Sequence, residues 1–217
     1  MAQPQSQPVV AEVVRSGIVE GHHYGAVVAL APDGSVDWAV GDVERPVLPR
    51  SCVKPLQAVG MLRCGLDLPD ELLALVCASH SGEPFHVEGV RRILRGAGLS
   101  EASLQTPADL PLGDVARAEL LRGGGSAAPV LMNCSGKHAG MLATCVARGW
   151  DTGTYLSPEH PLQRAILQTV VSLTGDQTPL HGPGALAVDG CGAPAPATSL
   201  VGLARAFGLL ARGLDGS

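Results

Sequence analysis

The sequence predicts a mixed α/β chain of the α+β kind, with a short strand-rich start and a long helical remainder. Three observations carry this. β-type apolar pairs are confined to residues 9–40. From Leu56 onward apolar residues recur at helical spacing instead. With 46% hydrophobic and 16% charged residues over 217 positions, the chain has ample material for a buried core, and disorder is excluded. All of it reads as a single domain, strand-rich over 9–48 and mainly helical over 49–217.

Val9-Val10, Val13-Val14 and Ile18-Val19 lead into the run Ala26 to Ala31. Pro32-Asp33-Gly34 then makes a turn before Val36 to Val40, so this part is a β-hairpin or meander. After Pro49, Leu56, Val59, Leu62 and Leu66 mark a helix, and Leu72, Leu73 and Val76 a second. Further helices are expected over Val87 to Leu94, Asp114 to Leu121, Ala139 to Val146, Leu162 to Leu173 and Leu200 to Leu210, separated by Gly and Pro. Gly123-Gly124-Gly125 follows no clear strand and has no GK[ST] ending, so it is a joint and not a phosphate cradle. Strands confined to the first forty residues are too few for a typical sheet, which leaves a pairing edge open. Either further strands in a longer parent chain or another subunit, as in a homodimer, would cover it.

A net charge of -5 gives no basic stripe, and Arg91, Arg92 and Arg95 are the only basic cluster, so no nucleic-acid partner is expected. Met1 to Gln7 has no apolar signal region and no apolar run approaches the ~20 residues that span a bilayer; no membrane partner is expected and the location reads as cytoplasmic. In that compartment the six cysteines are thiols, packing residues or metal ligands before they are disulfides. A small-molecule substrate is the remaining class.

The two lysines among fifteen basic residues are the most informative feature. A chain that otherwise uses Arg keeps Lys where an amine must be desolvated or deprotonated. Lys54 lies in Arg50-Ser51-Cys52-Val53-Lys54, three residues after a hydroxyl, so Ser51 and Lys54 share a face of a helical turn. Pro55 puts that turn at a helix start, where outward N–H groups would lower the lysine pKa and let it take the Ser51 proton. The alternative is a capping serine beside a solvated lysine. Cys77-Ala78-Ser79-His80-Ser81-Gly82-Glu83 crowds hydroxyls, an imidazole, a thiol and a carboxylate into a turn, which suits a pocket; the alternative is an ordinary cap with His80 and Glu83 solvated.

Lys137 lies in Asn133-Cys134-Ser135-Gly136-Lys137-His138, which reads as a short turn before a helix from Ala139. Cys134 and Lys137 would face the same way. With Cys191 of Asp189-Gly190-Cys191-Gly192 they could bind a metal through two thiolates and one neutral amine, leaving a fourth position open. Structural cysteines are the alternative, because no paired Cys-x-x-Cys element is present. Asp189 could orient such a ligand.

Taken together, Arg50-Ser51-x-x-Lys54-Pro55-x-Gln57-Ala58, Cys77-Ala78-Ser79-His80-Ser81, Asn133-Cys134-Ser135-Gly136-Lys137-His138-x-Gly140-Met141-Leu142 and Asp189-Gly190-Cys191-x-x-Pro194 resemble the asparaginase II family, the rhizobial type of L-asparaginase. The likeness runs from about Gly17 to Ser217. It implies a serine β-lactamase/glutaminase-like fold and hydrolysis of L-asparagine to L-aspartate and ammonia. Ser51 and Lys54 match the family's first catalytic pair, and Ser79 matches the serine of another hydroxyl-amine pair. Zinc would be held by Cys134, Lys137 and Cys191. Arg50, His138 and Asp189 match polar residues near the substrate.

The resemblance also sets expectations about completeness. Family members are longer, and the lysine that partners the second serine lies in their C-terminal part, whereas this chain has no third lysine. Ser79 is therefore expected to lack its base, and the 217 residues are expected to be the front portion of an enzyme, poorly active alone. A glutaminase, a penicillin-recognising acyltransferase or another Ser-Lys amidohydrolase, and a non-catalytic zinc-binding remnant, are the competing readings.

Overall fold

The structure is a computed structural model that describes residues 7–176 and 186–213. It is a mixed α/β chain with small antiparallel sheets and seven α-helices among the described residues. Two compact units are present: residues 7–47, 172–176 and 197–213 form one, and residues 48–171 and 186–196 the other.

In the first unit, β1 (Val9–Arg15) pairs antiparallel with β2 (Ile18–Tyr24), and β3 (Val27–Leu30) pairs with β4 (Val36–Val40). Each pair stands as a separate two-stranded sheet. Ser16 and Gly17 make the first turn in left-handed backbone, as a two-residue hairpin requires. Val9, Val13, Val14 and Ile18 are exposed, so β1 and β2 have no apolar cover among the described residues. The final helix, α7 (Leu200–Ala211), packs on β3. Ser199 caps it: its Oγ accepts from Gly202 N at 2.8 Å and donates to Asp176 Oδ1 at 2.9 Å. Thr198 and Val47 exchange backbone hydrogen bonds, both 2.9 Å, which fixes the approach to that cap.

The second unit holds the helices read from periodicity: α1 (Lys54–Arg63), α2 (Asp70–Cys77), α3 (Pro84–Gly96), α4 (Asp114–Arg122) and α5 (Ser135–Arg148). Most of α6 (Pro161–Thr174) belongs to it as well. Leu56, Met61, Val76, Val90, Ile93, Leu94, Met141 and Leu142 are almost wholly buried in its core, each contributing about 1.5–3 kcal/mol by leaving water. The axis of this core is α5, which packs on α1, α2 and α3. Two glycines allow that packing. A Cβ on Gly136 would lie 2.7 Å from Leu75 O, and one on Gly140 would lie 2.8 Å from Val76 Cγ2. The close approach draws the start of α5 up to the end of α2.

Two expectations need correction. The helix expected from Ala139 begins at Ser135, so Lys137 and His138 stand in its first turn and not in a preceding loop. Strands are not confined to the first forty residues either, because β5 (Leu186–Val188) pairs antiparallel with β6 (Pro194–Pro196). The hairpin turn between them carries Cys191, closed by Asp189 N donating to Ala193 O at 2.9 Å and by Gly192 at φ +84°. No helix of the described residues is long and apolar enough to cross a membrane.

Candidate active site

Ser51 sits on a 3₁₀ turn, Arg50–Val53, that runs directly into α1. Lys54 opens α1, ahead of Pro55, which is tolerated there because the first helical turn needs no intrahelical N–H bond. The lysine is 1% exposed. Its amine passes under the end of α2, where Ala78 turns into extended backbone, and donates to Ala78 O and Ser79 Oγ, both at 2.7 Å. Ser79 Oγ in turn lies 2.8 Å from Ser51 Oγ. A buried amine thus feeds two exposed hydroxyls in series. Lys54 does not bond Ser51 directly; the contact expected from three-residue spacing is relayed through Ser79. The same geometry gives Ser79 an amine without a third lysine.

Burial is the main cause that lowers the Lys54 pKa from 10.5, helped by the neighbouring Lys137 and opposed by the Cys134 and Cys191 thiols. Desolvation, rather than the helix start alone, makes the neutral amine accessible.

A second cluster begins one helix away. Cys134 stands at the N-cap of α5 and Lys137 in its first turn, both buried. Lys137 Nζ donates to Cys191 Sγ at 3.3 Å. The Cys134 thiol donates towards Cys191, which lowers the Cys191 pKa and raises that of Cys134. The pair therefore behaves as one thiolate sharing one proton. Cys134 Sγ also lies 3.1 Å from Asn133 Oδ1. His138, wholly buried and kept neutral mainly by that burial, bonds Tyr155 OH through Nδ1 at 2.8 Å. Among the described residues its Nε2 has no partner at hydrogen-bond distance, yet the ring is near enough to Cys191 to favour the thiolate. Asp189 Oδ2 lies 3.9 Å from Cys191 Sγ, and Asp189 Oδ1 pairs with Arg50 Nη2 at 2.8 Å.

Arg50 is held at φ +53°, an uncommon conformation for a residue with a Cβ. Its ion pair bridges the two clusters, joining the turn that carries Ser51 to the turn that carries Cys191. The pair also means that the guanidinium already has a carboxylate partner.

Among the described residues, no group of three or more His, Cys, Asp and Glu side chains could hold a metal ion. The candidate donor set is different, two thiols and an amine. Donors of a tetrahedral zinc with Zn–S about 2.3 Å and Zn–N about 2.0 Å would stand about 3.6 Å apart. The 3.3 Å between Lys137 Nζ and Cys191 Sγ is near that separation, so this one pair is spaced as two ligands of such an ion would be.

The model of the L-asparaginase II family matches residues 11–217. The chain belongs to the L-asparaginase II family. Among curated proteins no match is found.

In this family member all nine side chains singled out from sequence, Arg50, Ser51, Lys54, Ser79, Cys134, Lys137, His138, Asp189 and Cys191, fall in one unit and form one connected polar strip. Sequence reasoning missed Tyr155. Its hydroxyl accepts from Gln105 N at 3.2 Å and lies 2.8 Å from His138 Nδ1, and burial holds its pKa up at about 12. The one available signal was rarity, since Tyr155 is one of two tyrosines in the chain.

Proposed function

We propose that this member of the L-asparaginase II family is an amidohydrolase whose general substrate is a small carboxamide. We propose the specific reaction: hydrolysis of L-asparagine to L-aspartate and ammonia, with Ser51 as nucleophile and Lys54 as the base it reaches through Ser79. The observation that carries this reading is the Lys54–Ser79–Ser51 chain, 2.7 and 2.8 Å long, rooted in a buried amine and ending in solvent.

A carboxamide is a poor electrophile and its nitrogen must leave protonated, so the site needs an activated oxygen and an acid. As Ser51 Oγ bonds to the carboxamide carbon, its proton passes to Ser79 Oγ while the Ser79 proton passes to neutral Lys54. The carbonyl π pair moves to oxygen. When that oxyanion collapses, the carbon–nitrogen bond breaks and the relay returns the proton to the departing nitrogen as ammonia. Water then adds to the Ser51 ester along the same route, and aspartate leaves. Ala78 O accepts one N–H of Lys54, and in the neutral amine the lone pair is then free to turn to Ser79.

Arg50 is the natural partner for the substrate α-carboxylate, released from or shared with Asp189 on binding. Cys134, Lys137 and Cys191 would hold zinc, with His138 and Asp189 beside the sulfur of Cys191. Zinc held there would supply a Lewis acid with an open position for a polar group of the substrate.

Ammonia release from asparagine and glutamine, and ring opening of a β-lactam, by wild type, Ser51→Ala and Cys134→Ala test the reading. It expects asparagine to be preferred and Ser51→Ala to abolish turnover. Preferred glutamine turnover would reassign the substrate; a Ser51→Ala enzyme as active as wild type would overturn the mechanism.

A further inference from the structure

We propose that His80 is a positioning residue that locks Ser79 onto Lys54 and joins the serine–lysine relay to the thiol–lysine cluster; this rests on the hydrolase reading above. His80 follows Ser79 directly and is 2% exposed, although neither hydrolysis nor metal binding needs an imidazole at that point. Its backbone N donates to Asn133 O at 3.1 Å, and its Nε2 lies 2.8 Å from Ser135 Oγ. Asn133 and Ser135 flank Cys134. One residue next to the relay therefore grips both neighbours of a candidate ligand.

The direction of the side-chain bond follows from proton counting. Ser135 Oγ is buried and gives its single proton to Val130 O at 2.8 Å. It can only accept from His80, so the imidazole proton sits on Nε2. Nδ1 is left buried without a partner among the described residues, and burial is the largest cause that lowers the His80 pKa to about 4, keeping the ring neutral. The ring also stacks on His86, with centroids 5.4 Å apart and planes at 19°. By contrast the exposed Ser79 side chain has, among the described residues, only Lys54 and Ser51 to hold it. Its place is set by the backbone, and the His80 anchor sets the backbone. A displacement of about 1 Å at such a point costs on the order of 10²-fold in rate.

Histidine variants separate this from simple packing. Gln places an N–H donor as many bonds from Cβ as imidazole Nε2, whereas Asn reaches only the Nδ1 position. His80→Leu and His80→Asn are expected to lose about ten- to a hundredfold in kcat with KM within about threefold, and His80→Gln to recover most of it. The labelling rate of the relay serine by a fluorophosphonate should follow the same order, without relying on turnover. Equal kcat and labelling in all variants, or rescue by Asn as good as by Gln, overturns the proposal. Where variants fail to fold, ¹⁵N-histidine NMR of the wild-type chain decides: the Nε2–H tautomer at His80 supports it and the Nδ1–H tautomer overturns it. Labelling that follows this order across wild type and variants, with no ammonia released from any carboxamide by the wild type, refutes the hydrolase reading and leaves the His80 assignment standing. A wild type with no probe-reactive serine overturns both.

Discussion

Replacing Gly136 by Ala tests whether helix contact builds the site. The new Cβ would stand 2.7 Å from Leu75 O and 3.0 Å from Leu75 Cγ. Carbon approaches a carbonyl oxygen to about 3.3 Å, so α5 and α2 must part by roughly 0.6 Å. Overpacking of this kind costs about 1–3 kcal/mol. Because alanine gains up to about 1 kcal/mol in helix propensity, the expected net loss is about 1–2 kcal/mol, or a fall in Tm of about 2–8 °C for a chain of this size. The same movement displaces Lys137, one residue on, from Cys191, so zinc affinity should drop as well. Thermal unfolding and a chelator competition measure the two effects. Gly96→Ala is the control, since a Cβ there meets nothing within 4 Å; it should be neutral or stabilising by up to about 1 kcal/mol. A Gly136→Ala chain as stable as wild type, with equal zinc affinity, would refute the reasoning.

Other consequences follow from individual bonds. Tyr155→Phe strands Gln105 N and His138 Nδ1 and should weaken zinc binding about 10–100-fold, measured by chelator competition. Arg50→Met removes a charged hydrogen-bonding group worth about 1.5–3 kcal/mol and should raise KM for asparagine about 10–100-fold with a smaller change in kcat. His80 has a folded pKa of about 4 against 6.5 unfolded. The stability it contributes is therefore full above pH 6.5 and is lost as pH falls through 4, by about 3 kcal/mol. Urea midpoints across pH 7 to 3.5 should show this loss, and His80→Gln should flatten it.

Much of this architecture was legible in the sequence because apolar periodicity survives in the fold. Of Leu72, Leu73 and Val76, the first and last lie on the buried face of α2, where Leu75 takes the place of the half-buried Leu73, and the stretch Val87 to Leu94 carries the buried face of α3. The start of α5 was not legible: Asn133-Cys134-Ser135-Gly136 has turn composition, and its glycine is present for contact with Leu75 rather than for chain reversal. Nor was β6, whose Pro194 and Pro196 argue against a strand and are tolerated in a two-stranded ladder that needs few of their N–H groups. The site residues stood out by type and spacing, but their partners did not. Spacing put Ser51 beside Lys54, whereas burial of the lysine sends its amine inward to a serine 25 residues on. Tyr155 carries no motif, and its role arises only from where α5 places His138.

The central claim is that a neutral Lys54 receives a proton from the serine relay, and kcat as a function of pH in wild type and Lys54→Arg tests it most directly. Because burial lowers the lysine pKa, wild-type kcat should rise with pH through a single deprotonation below 10.5. Arginine keeps its proton throughout, so Lys54→Arg should fall by at least about 10²-fold at every pH. A Lys54→Arg enzyme within tenfold of wild type, with an unchanged pH profile, would contradict the account.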